Sequence, residues 1–182
     1  MDEKDKKILL SIARESIKSA ITDTPSEQTT HIEIISPELK EKSGAFVTLR
    51  THGKLRGCIG RMVSEIPLYK LVSEMAVSAA KEDPRFSQIK PSDLDGLEID
   101  ISALSPLQKI DDPLDFELGR HGIYIKKGSS NGCFLPQVAT ETGWTKEEFL
   151  SKCCSMKADL SPDAWKKRGI DVYIFTSEII SD

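Results

Sequence analysis

Residues 44–60, GAFVTLRTHGKLRGCIG, leave the chain little choice of local fold. Two runs rich in aliphatic residues flank Thr-His-Gly, the pattern of a β-hairpin. One face of such a hairpin must meet a core, so register decides which residues are buried. A three-residue loop, Thr51-His52-Gly53, forms a type I turn with Gly53 in the left-handed region. It pairs Leu49 with Leu55, Val47 with Gly57 and Ala45 with Ile59, all on one face. Arg50, Thr48, Phe46, Lys54, Arg56 and Cys58 then share the other. A two-residue loop mixes apolar and charged residues on both faces, so the three-residue register is expected.

Helical periodicity appears on either side. Ile8, Leu9, Ile12, Ala13, Ile17, Ala20 and Ile21 form one stripe, which predicts a helix over about residues 2–21. TDTPSEQTT, residues 22–30, breaks it and reads as a mobile loop. Pro67 opens a second helix, with Leu68, Leu71, Val72, Met75, Ala76, Ala79 and Ala80 as its core stripe. That helix stops at KEDPRF, because Pro84 holds Asp83 out of helical geometry. LEIDISAL alternates as a half-buried strand, with Leu97, Ile99, Ile101 and Ala103 inward and Glu98, Asp100 and Ser102 outward.

DDPLDFELGRHG reads as a loop region, and IYIKK with GCFLP as a second hairpin around GSSN. TKEEFLSKCCSMKA is a helix with a Thr145–Glu148 capping box. SPDAW is a one- or two-turn helix capped by Ser161, and DVYIFTSEII one final strand. Hairpins and helices alternate without βαβ units, which predicts an α+β fold.

At 182 residues the chain is one domain, or one domain with two lobes. A net charge of −4 with no sustained basic block argues against a protein that coats duplex DNA. The four cysteines show no CxxC spacing. The charged N-terminus lacks a signal-peptide core, and no apolar run approaches the ~20 residues of a membrane span. The expectation is a cytoplasmic protein with reduced thiols.

Arg56 and Cys58 are two apart, which on a regular strand places both on one face with Lys54 beside them. A thiol flanked by cations gains thiolate character and nucleophilicity. Gly57 and Gly60 permit a bulge or the close approach of a ligand. Spacing alone also allows Cys58 to be a small buried hydrophobe, the usual fate of a free cysteine. Arg85 follows a helix end, where capping or a structural salt bridge is favoured over ligand binding. Histidine is the side-chain type whose charge changes near neutral pH, so His121 could act as a base, although a lone histidine is more often structural. His31, His52 and His121 are far apart in sequence and lack metal-ligand spacing. Cys153 and Cys154 fall on the apolar face of their helix, with Phe149 and Leu150.

LRGCIG, KEDPRF, EIDISALSPLQKI, HGIYI, GCFLPQVATETGW and EEFLSKCC occur in the order found in the AMMECR family. That family is named for the AMME-syndrome chromosomal region gene 1 protein, and its prokaryotic relatives are called AmmeMemoRadiSam system protein A. The resemblance runs from about Lys6 to Ile179. It implies an α+β fold: an antiparallel sheet with flanking helices in a larger lobe, a smaller mostly-β lobe, and a cleft between them. It also implies that Arg56, Gly57, Cys58, Gly60, Arg85, His121 and Gln137 gather at that cleft. Of these, Cys58 and His121 are the expected catalytic residues and Arg56, Gly57, Gly60, Arg85 and Gln137 the expected ligand-binding ones, with no metal and no cofactor expected. The family has no settled biochemical activity, but its genes often accompany a Memo-like protein and a radical S-adenosylmethionine protein.

The expected function is an enzyme or enzyme subunit binding a small anionic or carbonyl-bearing ligand. The alternative is a scaffold that uses the same surface for a protein partner or a nucleic acid, the latter disfavoured by the low basic content. Two positions depart from the family pattern: Arg61 stands where Thr is usual, and Asp159 where Gly is usual.

Overall fold

Asp2 starts the first helix by accepting the backbone N–H of Asp5 at 2.7 Å, a cap that satisfies an otherwise orphaned donor. Helix α1 runs Glu3–Thr22 and buries Ile8, Leu9, Ile12, Ala13 and Ile17, as its stripe predicts. The computed structural model describes residues 1–24 and 36–182, so residues 25–30 of the expected loop lie outside the described residues.

The described chain forms two units, Met1–Leu104 with Glu178–Asp182, and Ser105–Ser177. The first holds strands β1 (Ala45–Thr51), β2 (Lys54–Arg61) and β3 (Leu97–Leu104), and helix α2 (Leu68–Lys81). It also receives the last strand, β8 (Ser177–Ser181), in a sheet of order β2-β1-β3-β8. All seven predicted stripe residues of α2 are buried. Helices α1 and α2 pack on each other and on one face of the sheet, over Val47, Leu49, Ile99 and Ile101. Ser102 is buried although it lies on the predicted outward side of β3.

The β1–β2 hairpin forms with a register different from the expected one. Thr51 pairs with Lys54, leaving His52 and Gly53 as a two-residue turn with φ of 51° and 72°. Positive φ at both positions is the signature of a type I′ turn, whose twist suits a hairpin. Arg50 pairs with Leu55 and Leu49 with Gly57, so Arg56 is an extra residue, a β-bulge. The bulge is what rescues a two-residue loop. It restores alternation, so Gly57 and Ile59 still share the face of Leu49 and Val47. Between turn and bulge the faces are exchanged. Lys54, opposite Thr51, joins the Leu49 side, and Leu55, opposite Arg50, joins the Cys58 side.

The second unit contains β4 (Gln108–Ile110), β5 (Gly122–Lys127), β6 (Ser130–Phe134) and β7 (Asp171–Phe175), in the order β4-β7-β5-β6. Helices α3 (Pro136–Thr142) and α4 (Lys146–Met156) build its core with Ile123, Ile125, Phe134, Phe149, Val172 and Ile174. The Thr145–Glu148 capping box is present, with both bonds formed. Helix α3 and strand β4 carried no sequence prediction. The turn of the second hairpin is tighter than GSSN, since Ser130 already pairs with Lys127. SPDAW yields only a 3-10 turn at Ala164–Lys166.

The single final strand expected over DVYIFTSEII is two. Thr176 leaves the sheet because Ser105 takes both its groups: Ser105 N–H donates to its carbonyl and Ser105 Oγ accepts its N–H, each at 2.9 Å. β7 therefore belongs to the second sheet and β8 to the first.

Candidate functional site

Among the described residues, strand β2 is the outer strand of its sheet, bonded to β1 on one side only. Opposite it, Thr48 pairs with Cys58, and Thr48 Oγ1 donates to Cys58 Sγ at 3.2 Å. The backbone of Cys58 is held from the other side. Its N–H donates to Asp83 Oδ2 at 2.9 Å, and its carbonyl accepts from Arg85 Nη2 at 3.1 Å.

Asp83 comes from the end of α2, where Pro84 stops the helix. Its side chain is only 2% exposed, yet it is fully partnered. Oδ1 accepts Arg85 N–H at 3.1 Å and Nε at 2.9 Å, while Oδ2 accepts Nη2 at 2.7 Å beside the Cys58 amide. The Arg85 guanidinium holds this carboxyl well below the usual carboxylate range, and the two backbone N–H donors add to the effect. Burial pulls the other way and is outweighed. Arg85 lies over the ring of Phe86 at 5.3 Å. DPRF is therefore a clasp on β2, in line with the structural salt bridge favoured from residue type.

On the face turned away from α1 and α2, Cys58 and Thr48 continue into Asp100 of β3. Asp100 accepts Arg50 Nε at 3.3 Å and Ser181 Oγ at 2.6 Å. The Nη groups of Arg50 have no hydrogen-bond partner among the described residues. Phe46 stands opposite Gly60, and a β-carbon there would lie 2.3 Å from its ring. Gly60 is thus small because Phe46 covers it. Gly57 faces the helices, where its β-carbon would lie 2.1 Å from the Ala79 carbonyl. The close approach that these glycines permit is made by protein groups.

The cations expected beside Cys58 are displaced. Arg56, on the bulge, pairs with Asp93 of the 3-10 helix Pro91–Gly96 at 3.6 Å. Lys54 takes the opposite face. Arg50 occupies the place along the Cys58 face that the other two were expected to fill. Leu55 is half-buried outside the core cluster, whereas Ile59 packs against it.

His121 and Gln137 belong to the second unit. His121 Nδ1 accepts the Glu117 N–H at 3.0 Å, so its neutral ring carries the proton on Nε2. Gln137 lies in the first turn of α3, half-buried, with its carbonyl accepting from Thr140 Oγ1 at 2.8 Å. The predicted site residues thus divide: Arg56, Gly57, Cys58, Gly60 and Arg85 gather along one strand, and the other two stand in a separate unit.

Cys153 and Cys154 are fully buried, as expected, and burial pushes their thiols and that of Cys133 up. Among the described residues no group of three or more His, Cys, Asp or Glu could hold a metal. No helix among them is long and apolar enough to cross a membrane. Arg61 forms a half-exposed pair with Glu74 at 3.2 Å. Asp159 adopts φ 54°, a conformation that favours glycine and that aspartate tolerates better than most residues.

Sequence reasoning missed Asp83 and Asp100 and gave Thr48 and Arg50 no role. Alternation had already put Thr48, Arg50 and Cys58 on one face. Asp83 left no signal beyond its place before a proline.

A family model described as AMMECR1 matches residues 10–180. The chain is 40% identical over 188 residues to a protein of Thermococcus onnurineus, covering 96% of this chain and 88% of that one. It is 41% identical over 158 residues to protein PF1979 of Pyrococcus furiosus, covering 81% and 75%. Among solved structures it is similar to uncharacterized protein PH0010 from Pyrococcus horikoshii, with a TM-score of 0.84 and 35% identity, over 98% of this chain and 91% of that one.

Proposed function

The chain belongs to the AMMECR1 family, and from that premise we propose that it is an enzyme or enzyme subunit that binds a small anionic or carbonyl-bearing ligand beside Cys58. The ligand meets the sheet face turned away from α1 and α2. One observation carries the reading: a half-buried thiol and a half-exposed guanidinium, whose Nη groups have no partner among the described residues, share that face. Strand geometry sets Arg50 two residues from Thr48, hence about 7 Å along the sheet from the Cys58 row. A guanidinium fork recognises a carboxylate or phosphate through paired N–H groups. A thiol at that distance can meet an electrophilic carbon in the same small molecule. Phe46, over Gly60, offers an apolar surface on the far side of Cys58.

Arg85 contributes chiefly by holding Cys58, since Nε and Nη2 are already engaged. Gln137 remains a proposed ligand-binding residue. An acid–base role for His121 falls to Nε2, because Glu117 engages Nδ1.

The test is thermal-shift screening of wild type against a panel of small carboxylates, phosphates, aldehydes and keto acids, repeated with Arg50→Ala and Cys58→Ser. A compound that stabilises wild type and loses its effect in Arg50→Ala supports the site. If every stabilising compound acts equally on all three proteins, the reading fails.

A further inference from the structure

We propose that Asp83 and Arg85 are positioning residues for the Cys58 thiol: together they bond the edge of β2 that no described strand covers. The inference rests on the reading of Cys58 as a functional group, and it adds the device that sets where that group points.

Antiparallel strands alternate between residues whose N–H and C=O face the partner and residues whose groups face away. The bonds of Cys58 run to Asp83 and Arg85, so Cys58 is an outward-facing position. Such pairs bring their side chains closest together, which is how Thr48 Oγ1 reaches Sγ. On an uncovered edge these two groups would be solvated, and the peptide units around Cys58 could tilt. Here each is matched by a group that fits it alone. A carboxylate can only accept, so it takes the N–H; a guanidinium can only donate, so it takes the carbonyl. Asp83 and Arg85 are in turn bonded to each other, with Nη2 serving both Asp83 and Cys58.

The clasp is anchored from within. The Asp83 carboxyl is buried, whereas the Arg85 side chain is 57% exposed. Phe86 N–H closes the turn onto the Asp83 carbonyl at 3.2 Å. A purely stabilising ion pair had no need to reach a strand 25 residues earlier in the chain. This one grips both backbone polar groups of Cys58, whose thiol accepts from Thr48 on the candidate face.

The experiment compares wild type, Asp83→Asn and Arg85→Lys by two readouts that need no ligand. The first is residue-resolved amide exchange at Cys58, with Leu49 and Ile101 as references in the same sheet. The second is the rate of iodoacetamide labelling of Cys58, with Cys133 of the other unit as internal reference. Loss of one charge-assisted bond should speed Cys58 exchange about tenfold over the references. Labelling of Cys58, and not of Cys133, should change with it. Arg85→Lys keeps a charge beside Asp83 but lacks the fork that serves two acceptors. Its melting temperature should return toward wild type while Cys58 labelling stays altered.

If Cys58 exchange and labelling change no more than their references, or recover together with melting temperature in Arg85→Lys, the pair serves stability alone and the inference is overturned. The outcome is separable from the function reading. Ligand stabilisation insensitive to Arg50→Ala and Cys58→Ser would remove that reading and leave the clasp standing.

Discussion

The carbonyl of Ala79 occupies the space in which a β-carbon on Gly57 would stand, 2.1 Å from its ideal position. Both partners are backbone, so neither can move aside as a flexible side chain can. Glycine here sets how closely α2 lies on β2, and α2 in turn delivers Asp83 to Cys58.

Gly57→Ala should therefore destabilise by about 3 kcal/mol through overpacking. Gly128 has φ 58° and open space around it, so Gly128→Ala costs only backbone strain, about 1 kcal/mol. Chemical denaturation of the two variants side by side checks the difference. Equal losses would show that the α2–β2 approach is not tight.

How much of this was legible in the sequence varies by element. Period-two alternation placed Cys58, Thr48 and Arg50 on one face, and that held even though the register shifted. Gly57 showed that a bulge was permitted, but its place at Arg56 was not legible, because a bulge trades one local pairing for another and turns on whether His52 accepts positive φ. The break at Thr176 was hidden for a related reason. YIFTSEII is an unbroken β pattern, and what ends it is a bond from Ser105, seventy-one residues away. The clasp depended on a tertiary approach that no spacing records. Helices α1, α2 and α4 were legible because each carries its own start signal and stripe.

Ile12 lies in the core stripe of α1, 4% exposed. Ile12→Asp would place a carboxylate among Leu and Ile side chains with no partner, a loss of more than about 4 kcal/mol. A thermal melt within a degree or two of wild type would show α1 to be peripheral.

Acid should act through Asp83. Its folded-state carboxyl titrates below the ordinary value because Arg85 favours the charged form. Stability from this group is thus fully present above the unfolded carboxylate value, about 4, and is lost as pH falls below it toward the folded value. Melting temperature between pH 5 and pH 2 should drop more steeply in wild type than in Asp83→Asn, which has no charge to lose. Parallel curves would remove Asp83 from the acid response.

Three of the four thiols should label in a fixed order under native conditions. Cys58 is half-buried on an outer strand, while Cys153 and Cys154 are fully buried and burial disfavours their thiolates. Graded alkylation with peptide mapping should find Cys58 modified well before either. Early labelling of Cys153 or Cys154 would contradict the packing of α4.

Arg50 and Cys58 share a face but face different demands. Arg50 donates to Asp100 from a half-exposed side chain, and exposed pairs of this kind contribute about 1 kcal/mol or less. Arg50→Ala should leave the melting temperature nearly unchanged. It should weaken an anionic ligand about tenfold or more, the worth of a charge-assisted bond. Cys58→Ser keeps the size of the side chain and its contact with Thr48, so binding should persist. If the thiol forms a bond to the ligand, turnover should vanish in that variant, because a serine hydroxyl is a far weaker nucleophile without a base beside it. Titration calorimetry for binding and mass spectrometry for a covalent adduct separate the two effects. Should Arg50→Ala unfold the protein while each folded molecule still binds normally, Arg50 is an anchor for Asp100, and the anion must be held elsewhere.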